Sequence, residues 1–512
     1  MLRSARNLFR LCQIAITLAR YDALFPLEGV PGASPVLAFA ELFRRNSHST
    51  QRPGERLAAA LHELGPSFIK LGQALSTRAD LVGEEIAADL SALQDRLPPF
   101  PGSEARAIVA AQLGTRVETL FQRFDDTPVA AASIAQVHLA VTSDGAEVAV
   151  KVLRPGIAKA FARDLDLFLW IADLAERTQP ALRRLKPVAV VRTLAETVRL
   201  EMDLRLEAAA ASELRDNLGD DPDFRVPAVD WGRTSHDVLT LERVDGIPVD
   251  ERDRLFAAGH DPRAVLEKAA NAFFKQVFRD GFFHADLHPG NLFVAEDGAI
   301  VAVDFGIMGR LDRKTRYYLA DMLLGFLTRE YRRVAEVHFA AGYVPQRQSV
   351  DAFTQALRSI GEPILGRPLH EISLARLLAQ LFAVTEQFEM ETQPQLLLLQ
   401  KTMLVAEGVG RRLDPSVNMW SLAQPLIEEW MRENRGLEAR VLDAAAATGA
   451  VLERLPTLLS DLESAIASLA SGGLRLDAAT VEALGGGRRR RWSAVPLWIA
   501  ALALLAIALA MW

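Results

Sequence analysis

Cysteine is almost absent from this chain, in which Cys12 is the only one among 512 residues. A single thiol excludes a disulfide framework and suits a reducing compartment. The nine histidines have no spacing typical of a zinc site. The formal net charge of −7 lacks the basic excess of a general nucleic-acid-binding protein, so no nucleic-acid partner is expected.

Two polar segments stand out in the middle of the chain. The first, at 281–291, reads GFFHADLHPGN, and the second, at 300–306, reads IVAVDFG. Phosphoryl transfer from a nucleoside triphosphate uses one carboxylate to orient or deprotonate the acceptor, and an amide oxygen with a second carboxylate to hold Mg²⁺. The order and spacing therefore predict Asp286 as a catalytic residue and Asn291 and Asp304 as metal ligands. A polar loop before a buried strand would not account for three such groups.

An upstream lysine fits the same chemistry. Residues 146–151 read AEVAVK, an alternating strand entered through the turn-forming Asp144 and Gly145, and residues 134–141 predict its hairpin partner. Lys151 would then project from the second strand, where it can contact phosphates. Such a lysine alone is also typical of a solvated strand end, so this assignment depends on the motifs downstream.

A glycine-rich phosphate loop is missing before Lys151. The segment at 129–138 reads VAAASIAQVH instead. Alanine resists the positive φ angles that glycine adopts freely, so we expect a stiffer loop that holds phosphates differently.

Several segments together resemble one family. They are FIKLGQ at 68–73, the alanine-rich loop at 129–138, EMDLRLEA at 201–208, HADLHPGN at 284–291 and LQKTMLVAEG at 399–408. On these segments the chain resembles the UbiB/ABC1/ADCK family of atypical protein-kinase-like proteins, whose bacterial members support ubiquinone biosynthesis. The first two segments are the most specific, because ordinary kinases carry neither.

The resemblance implies an α+β, two-lobed protein-kinase-like fold with an N-terminal helical extension and a C-terminal transmembrane helix. It implies ATP or ADP with Mg²⁺ as cofactors, and a hinge at 241–246 whose backbone at Glu242 and Val244 meets the adenine. Further nucleotide contacts are expected from the Lys151 side chain and from the alanine-rich loop, at Ala130, Ala131, Ala132, Ser133, Ile134, Ala135, Gln136 and Val137.

Lys70 and Gln73 lie off the apolar stripe of a helix predicted around residues 57–78. That stripe is formed by Leu61, Leu64, Phe68, Leu71 and Leu75. From spacing alone, solvated surface residues are the simpler interpretation. The resemblance implies instead that this helix, which Pro66 kinks or starts, folds over the nucleotide pocket and regulates it. Glu207 would then pair with Lys151, and the acids facing Lys70 would be Glu201, Asp203 and Asp304.

Signs of a peptide-substrate platform are missing after Asp304. No A-P-E anchor follows it, and Ala285 stands where an arginine would receive an activation-loop phosphate. A protein side chain is therefore not the expected acceptor. The resemblance implies as partners membrane lipids, polyprenyl-phenol or quinone intermediates and the enzymes of ubiquinone biosynthesis. Two other functions stay open: a small-molecule phosphotransferase of the aminoglycoside or choline kinase type, and a non-catalytic nucleotide-binding scaffold.

The chain divides into regions of different composition. They are an N-terminal helical extension at 1–124, a small lobe at 125–241, a helical large lobe at 242–470, a Gly/Arg-rich linker at 471–494 and a transmembrane anchor at 495–512. The anchor is uncharged and about 27 Å long as a helix. Arg488–Arg491 precede it, so the positive-inside rule leaves the body in the cytoplasm. The resemblance to bacterial family members implies that this membrane is a bacterial inner membrane.

The first 20 residues are rich in arginine and free of acids. They predict an amphipathic helix lying on an anionic surface. A mitochondrial transit peptide has a similar composition and is the alternative.

Deletion of residues 488–512 tests the anchor. Because a transmembrane helix holds a protein far more strongly than a surface helix, the truncated protein should move largely to the soluble fraction after cell lysis. Residual binding through the first 20 residues is expected to be lost on carbonate extraction. If the truncated protein stays wholly in the membrane fraction and resists carbonate, this segment is not the main anchor.

Overall fold

The computed structural model describes residues 2–25, 51–76, 82–91, 97–178, 187–219, 221–363, 394–414 and 419–435, with isolated residues and short pieces between some of these segments. Contacts divide the chain into two compact units, Met1–Met431 and Arg432–Trp512. The elements below belong to the first unit, apart from the last residues of the final helix. Of the second unit, residues 432–435 are described, and they are helical.

None of the helices in these described segments combines the length and the apolar character needed to cross a bilayer. The predicted linker at 471–494 and the predicted anchor at 495–512 lie outside the described residues.

The first half of the unit begins with helices and continues with a β-sheet that further helices interrupt. Its helices are α1 (Leu2–Arg20), α2 (Pro53–Leu64), α3 (Pro66–Ser76), α4 (Glu84–Ser91), α5 (Gly102–Leu113), α6 (Val117–Leu120), α7 (Ile157–Thr178), α8 (Pro187–Glu201) and α9 (Leu204–Leu218). Its strands are β1 (Phe121–Phe124), β2 (Ala130–Ala131), β3 (Ala135–Thr142), β4 (Glu147–Leu153), β5 (Phe224–Arg225) and β6 (Val238–Glu242).

The second half is mainly helical, with short strands. Its helices are α10 (Arg252–Ala257), α11 (Pro262–Phe274), α12 (Arg313–Leu327), α13 (Tyr331–Ala340), α14 (Val350–Gly361), α15 (Pro394–Leu413) and α16 (Met419–Arg435). Its strands are β7 (Ile247–Pro248), β8 (Phe282–His284), β9 (Leu292–Val294), β10 (Ile300–Ala302) and β11 (Met308–Arg310). The mixture of helices and sheets agrees with the predicted α+β class.

The helix predicted around residues 57–78 is two helices, α2 and α3. Gly65, with φ +102°, ends the first, and Pro66 occupies the first position of the second, where its missing N–H has no helical partner to lose. Phe68 and Ile69 of α3 are buried, and α3 packs against α7 and α8. The sequence correctly predicted that Pro66 would start or kink the chain here.

Helix α1 is amphipathic, as predicted, but its apolar face is covered by protein. Leu11, Ile14 and Leu18 are buried in a core shared with α2 and α7. Arg10 anchors the helix through an ion pair of 3.1 Å with Asp164, whose carboxylate is buried on α7. The prediction that this face lies on a membrane surface is therefore wrong for the folded unit, because burial against neighbouring helices removes it from solvent.

The small-lobe sheet is antiparallel, in the order β1-β3-β4-β6, with β2 on the edge of β3. Strands β3 and β4 form the predicted hairpin through a turn at Gly145, whose φ is +90°. Side chains alternate along β4, so Val148, Val150 and Val152 are buried on the face that packs against α5. The opposite face of β4 carries Ala149 and Lys151.

Two small sheets support the centre of the large lobe. Strands β5, β10, β9 and β7 form one, and β8 pairs antiparallel with β11 in the other. Phe283 of β8 is fully buried beneath Gly309 of β11, where a Cβ atom would lie 2.1 Å from its ring. This close approach holds together the strand at the start of the first polar motif and the strand that follows the second.

Helix α9 takes part in two hydrophobic cores. Leu204 and Ala208, near its start, pack with the N-terminal helices and the small lobe. Ala211 and Leu214, one to two turns later, pack with the large lobe. Glu207 lies in the first of these segments and is 7% exposed, so its position is fixed by packing before any ion pair forms.

Candidate active site

Lys151 lies at the centre of a cluster of charged side chains. Val137 on β3 and Leu239 on β6 stand directly opposite it in the sheet, so the three side chains share one face. Its Nζ donates to both carboxylate oxygens of Glu207, at 2.7 and 2.9 Å, and to Asp304 Oδ1 at 3.1 Å. The predicted ion pair between Lys151 and Glu207 is present, and Asp304 is a second partner.

The charges in this cluster shift one another's pKa values. Burial alone would lower the pKa of Lys151, but the carboxylates of Asp304 and Glu207 raise it, so the ammonium stays charged. Lys151 lowers the pKa of Asp304 to about 2, against the effect of burial. Burial raises the pKa of Glu207 to about 7, because it outweighs the attraction of Lys151. Asp304 is therefore the permanently ionised acid, ready to face a cation.

The backbone at Asp304 is strained. Its φ of +61° is a conformation that Asp and Asn tolerate better than other non-glycine residues. Asp304 Oδ1 also accepts a hydrogen bond of 3.4 Å from the N–H of Gly306. Strain of this kind persists where surrounding structure fixes it, often at functional sites. Here it aims the carboxylate, which is 49% exposed, toward Lys151 and open space.

His284 is a buried residue that fixes the loop carrying Asp286 and Asn291 through hydrogen bonds. Burial lowers the pKa of His284, so its imidazole is neutral. Its Nδ1 accepts from the N–H of Asp286 at 3.1 Å, which leaves Nε2 to donate to the carbonyl of Val303 at 3.1 Å. One ring thus joins the loop at Asp286 to the segment that enters Asp304.

Asp286 and Asn291 lie together at the mouth of this loop. Asn291 Nδ2 donates to the backbone oxygen of Asp286 at 3.0 Å. This contact directs the amide nitrogen inward and leaves the oxygen, Oδ1, as the group available to a cation. The N–H of Val303 donates to the Asn291 carbonyl, which ties the loop to the strand before Asp304.

Asn291 and Asp304 are suitable ligands for Mg²⁺. In the described segments no group of three or more His, Cys, Asp or Glu side chains could hold a metal ion by itself. Magnesium in phosphoryl-transfer sites needs only one or two protein oxygens, because substrate phosphates and water complete the octahedron. The donor set therefore fits a magnesium–nucleotide complex better than a permanent protein-bound metal.

The alanine-rich loop forms a tight turn without glycine geometry. Strand β2 pairs with β3, and the N–H of Ala132 donates to the Ala135 carbonyl at 2.8 Å. No residue from 129 to 138, all of them described, has a positive φ. Arg154 fixes the turn, because its guanidinium donates to the carbonyls of Ala132 and Pro98, each at 2.9 Å. The expectation of a stiff loop agrees with this geometry.

The predicted nucleotide contacts of the loop differ in their access. Ala130 is exposed and Ala131, Ala132 and Val137 are half-buried, whereas the residues between them are buried: Ser133, Ile134, Ala135 and Gln136. Gln136 is turned away from any ligand, since its amide pairs with both backbone groups of Phe100 at 3.0 and 3.1 Å. Its side-chain amide is therefore engaged within the protein, by a partner that the sequence pattern did not reveal. A nucleotide contact at Gln136 stays a prediction.

The predicted hinge follows β6 and is solvent-accessible. The N–H of Glu242 donates to the Ala228 carbonyl at 2.8 Å, so only its carbonyl remains for an adenine. Val244 is half-buried. A cavity of about 470 Å³ lies beside this segment, lined by hinge residues and by Arg215, Phe224 and Arg225. Its lining includes none of the charged cluster around Lys151, so it is a separate feature.

Lys70 reaches the acidic end of α8. Its Nζ lies 2.8 Å from Glu201, and both side chains are nearly buried at 12% and 11% exposure. Lys70 also contributes to the lowered pKa of Asp304. Lys70 is therefore close enough to the charged cluster to act on Asp304, and the interpretation of Lys70 as a solvated surface residue is wrong. Gln73 of the same helix is half-buried.

Asp203 has a different role from the one predicted. It caps α9 by accepting from the N–H of Arg205 at 3.2 Å, and its carboxylate pairs with the Arg205 guanidinium at 2.7 Å. The hydrogen bond from the Arg205 side chain is the main effect that lowers the pKa of Asp203. Its predicted pairing with Lys70 is replaced by capping, which a sequence reading of Asp before a helix could have predicted.

Lys401 and Thr402 of α15 were not predicted to reach the site. Lys401 Nζ lies 3.2 Å from Asp286 Oδ1, and Thr402 Oγ1 donates to the Ala285 carbonyl at 3.0 Å. In the sequence, the segment at 399–408 was notable only for its resemblance to the family. No local spacing could indicate that Lys401 contacts Asp286, which lies 115 residues earlier.

Two family models match this chain. Residues 92–338 match the ABC1 atypical kinase-like domain, and residues 357–418 match the UbiB helical domain. Together with the lysine, catalytic loop and Asp304 turn, these matches define an atypical kinase-like protein.

Proteins named "Probable protein kinase UbiB" are similar to it over most of their length. The one from Marinobacter nauticus is 43% identical over 473 residues, which cover 91% of this chain and 86% of the relative. The one from Xanthomonas campestris pv. campestris (strain B100) is 44% identical over 471 residues, covering 89% and 83%. The chain therefore belongs to the UbiB family, as its motifs predicted.

A solved structure shares the fold. It is the complex of Rv3197 with erythromycin from Mycobacterium tuberculosis, which is 29% identical to this chain, with a TM-score of 0.52. The similarity covers 72% of this chain and 93% of that one. The predicted kinase-like fold is thereby confirmed.

Asp304→Asn tests the metal assignment. Asparagine also tolerates the φ of +61°, so the turn should persist while the negative charge is lost. We expect the Mg²⁺-dependent rise in Tm on adding ATP or ADP to disappear. Asp286→Asn is the matched control and should keep that rise, because Asp286 is not a predicted ligand. An unchanged Mg²⁺-dependent affinity in Asp304→Asn would exclude this residue as a metal ligand.

Proposed function

We propose that this UbiB-family protein is a membrane-bound atypical kinase-like ATPase that supports ubiquinone biosynthesis. The observation that carries the proposal is the cluster in which Lys151 bridges Glu207 and Asp304 beside the loop of Asp286 and Asn291. A buried, fully charged lysine flanked by an ionised aspartate is the arrangement that a triphosphate and its cation require.

Each residue has a defined task in this proposal. Lys151 neutralises the phosphates of ATP or ADP, with Glu207 fixing its ammonium from behind. Asn291 and Asp304 hold Mg²⁺, which supplies charge neutralisation at the phosphate oxygens when bound. Asp286 accepts the proton of the attacking hydroxyl or water. The backbone of the alanine-rich loop covers the phosphates, and the backbone of Glu242 and Val244 receives the adenine.

The acceptor is proposed to be water or a lipid-phenol rather than a protein side chain. Helix α12 begins at Arg313, capped by Asp312, only a few residues after Gly306. Strand β11 fills the interval by pairing with β8. This leaves little chain for a peptide-binding platform. Polyprenyl-phenol or quinone intermediates, or the enzymes that handle them, are the proposed partners, at the cytoplasmic face of a bacterial inner membrane.

ATP turnover by the full-length protein tests this function. With Mg²⁺, slow hydrolysis that increases on adding anionic vesicles or a phenolic lipid is the expected result. Fast phosphorylation of an aminoglycoside or of choline would favour the small-molecule phosphotransferase instead. Nucleotide-dependent stabilisation without any turnover, across vesicle and phenol conditions, would favour the non-catalytic scaffold.

Lys70→Ala tests a regulatory role for the helix over the site. We propose that Lys70, paired with Glu201 at 2.8 Å, occupies space and charge that a substrate needs. Its removal should raise ATP turnover or autophosphorylation several-fold, while quinone production in cells falls because phosphotransfer is no longer controlled. Lys151→Ala should lower turnover. If both variants lose activity equally, Lys70 is an ordinary structural or catalytic residue.

A further inference from the structure

Helix α15 brings a lysine to the catalytic loop from a distant part of the chain. Lys401 Nζ lies 3.2 Å from Asp286 Oδ1. The next residue, Thr402, is fully buried and its hydroxyl donates to the carbonyl of Ala285 at 3.0 Å. Leu399 of the same turn is buried in the large-lobe core. The helix is therefore fixed to the loop at the position from which Lys401 extends.

The loop itself provides no cation near Asp286. Residues 284–291 contain neither lysine nor arginine. His288 uses Nδ1 to accept from the N–H of Gly290 at 3.1 Å, which caps the short turn that follows. Lys151 is engaged by Glu207 and Asp304, and Lys70 by Glu201. Among the described lysines, Lys401 is thus the one in contact with the proposed catalytic base.

The exposure of Lys401 distinguishes it from a buried lysine that only stabilises the fold. Its side chain is 44% exposed and that of Asp286 is 31% exposed, so the pair lies at the open edge of the site. An exposed ion pair adds little stability. The flexible side chain can leave Asp286 for a more highly charged partner at small cost, whereas Thr402 and Leu399 keep its helix in place.

We propose that Lys401 is a catalytic residue that contacts the transferring phosphoryl group of ATP from the side of Asp286. The inference rests on the proposed ATPase function and adds a residue to it. At rest Lys401 pairs with Asp286. When the acceptor oxygen approaches, its ammonium moves to the equatorial oxygens of the γ-phosphoryl group, where charge must be neutralised during transfer.

The proposed reaction is an ordinary phosphoryl transfer in which one bond forms and one breaks. A bond forms between the acceptor oxygen, of water or a phenol, and the γ-phosphorus. The bond from that phosphorus to the β–γ bridging oxygen breaks, and ADP leaves with the electron pair. The acceptor proton passes to Asp286, which Lys401 has just released. Lys401 itself neither gains nor loses a proton.

Lys401→Met tests the proposal, because methionine keeps the length of the side chain and removes its charge. The variant should bind Mg²⁺–ADP within about twofold of the wild type by thermal shift or calorimetry. It should bind Mg²⁺–ADP with aluminium fluoride, a mimic of the transferring group, at least tenfold more weakly. The rate of ATP hydrolysis should fall about 100-fold, as for removal of one donor to a transition-state oxygen.

Two further variants sharpen the result. Lys401→Arg keeps the positive charge and should recover much of the aluminium fluoride affinity. Lys314→Met removes an exposed lysine that lies over the Tyr318 ring on α12, and it should behave as wild type in every assay. The retained ADP affinity of Lys401→Met shows that its site is folded.

The outcomes distinguish this inference from the function on which it rests. If the wild type binds and hydrolyses Mg²⁺–ATP but Lys401→Met matches it with ADP and aluminium fluoride, Lys401 has no catalytic contact. If Lys401→Met loses ADP and the fluoride complex equally, the residue is structural and the inference is also wrong. If the wild type does not bind nucleotide, the proposed function fails and takes this inference with it.

Discussion

The geometry of the site depends on one ammonium group held between two carboxylates. Lys151 belongs to a strand of the small lobe, Glu207 to a helix between the lobes, and Asp304 to a turn of the large lobe. Breaking one partner of such a buried pair leaves a charge without compensation, at a typical cost of about 3–5 kcal/mol. Each of the three elements is therefore constrained by the other two. The lobes meet in the arrangement that this charge triad permits.

Burial makes the triad costly as well as specific. Glu207 is nearly inaccessible and has a raised pKa, because the apolar start of α9 is packed among N-terminal helices. Asp304 keeps a low pKa because the ammonium of Lys151 lies beside it, and its carboxylate is half exposed on a strained turn. The two acids thus have different roles. Glu207 fixes the position of Lys151 from within the protein, and Asp304 presents its charge to the open side of the site, where the proposed cation would bind.

The sequence predicted local features well and remote contacts poorly. The β3–β4 hairpin, the turn at Gly145 and the start of α3 at Pro66 follow from short patterns, because their interactions are between neighbouring residues. The pairing of Lys151 with Glu207 came only from family resemblance. Lys401 was missed because its helix reaches Asp286 through tertiary packing, which leaves no trace in spacing.

Two further differences between the sequence predictions and the structure also arise from contacts with distant parts of the chain. An apolar helix face such as that of α1 looks identical in sequence whether a bilayer or a protein core covers it. Gln136 alternates correctly along its strand, but its amide is consumed by the backbone of Phe100. In both cases the partner decides the role, and the partner lies far away in the chain. The assigned metal and nucleotide roles remain predictions of the motif and the geometry together.

The short joint between α8 and α9 has a mechanical consequence. Glu201 ends one helix and Leu204 begins the next, with Asp203 capping the second from the joint itself. Glu201, which pairs with Lys70, and Glu207, which pairs with Lys151, consequently lie on two helices joined by only two residues. Because this connection is short and capped, a rotation of one helix should be passed on to the other. Displacement of the helix of Lys70 is therefore expected to shift α9, and with it Glu207, the partner of Lys151.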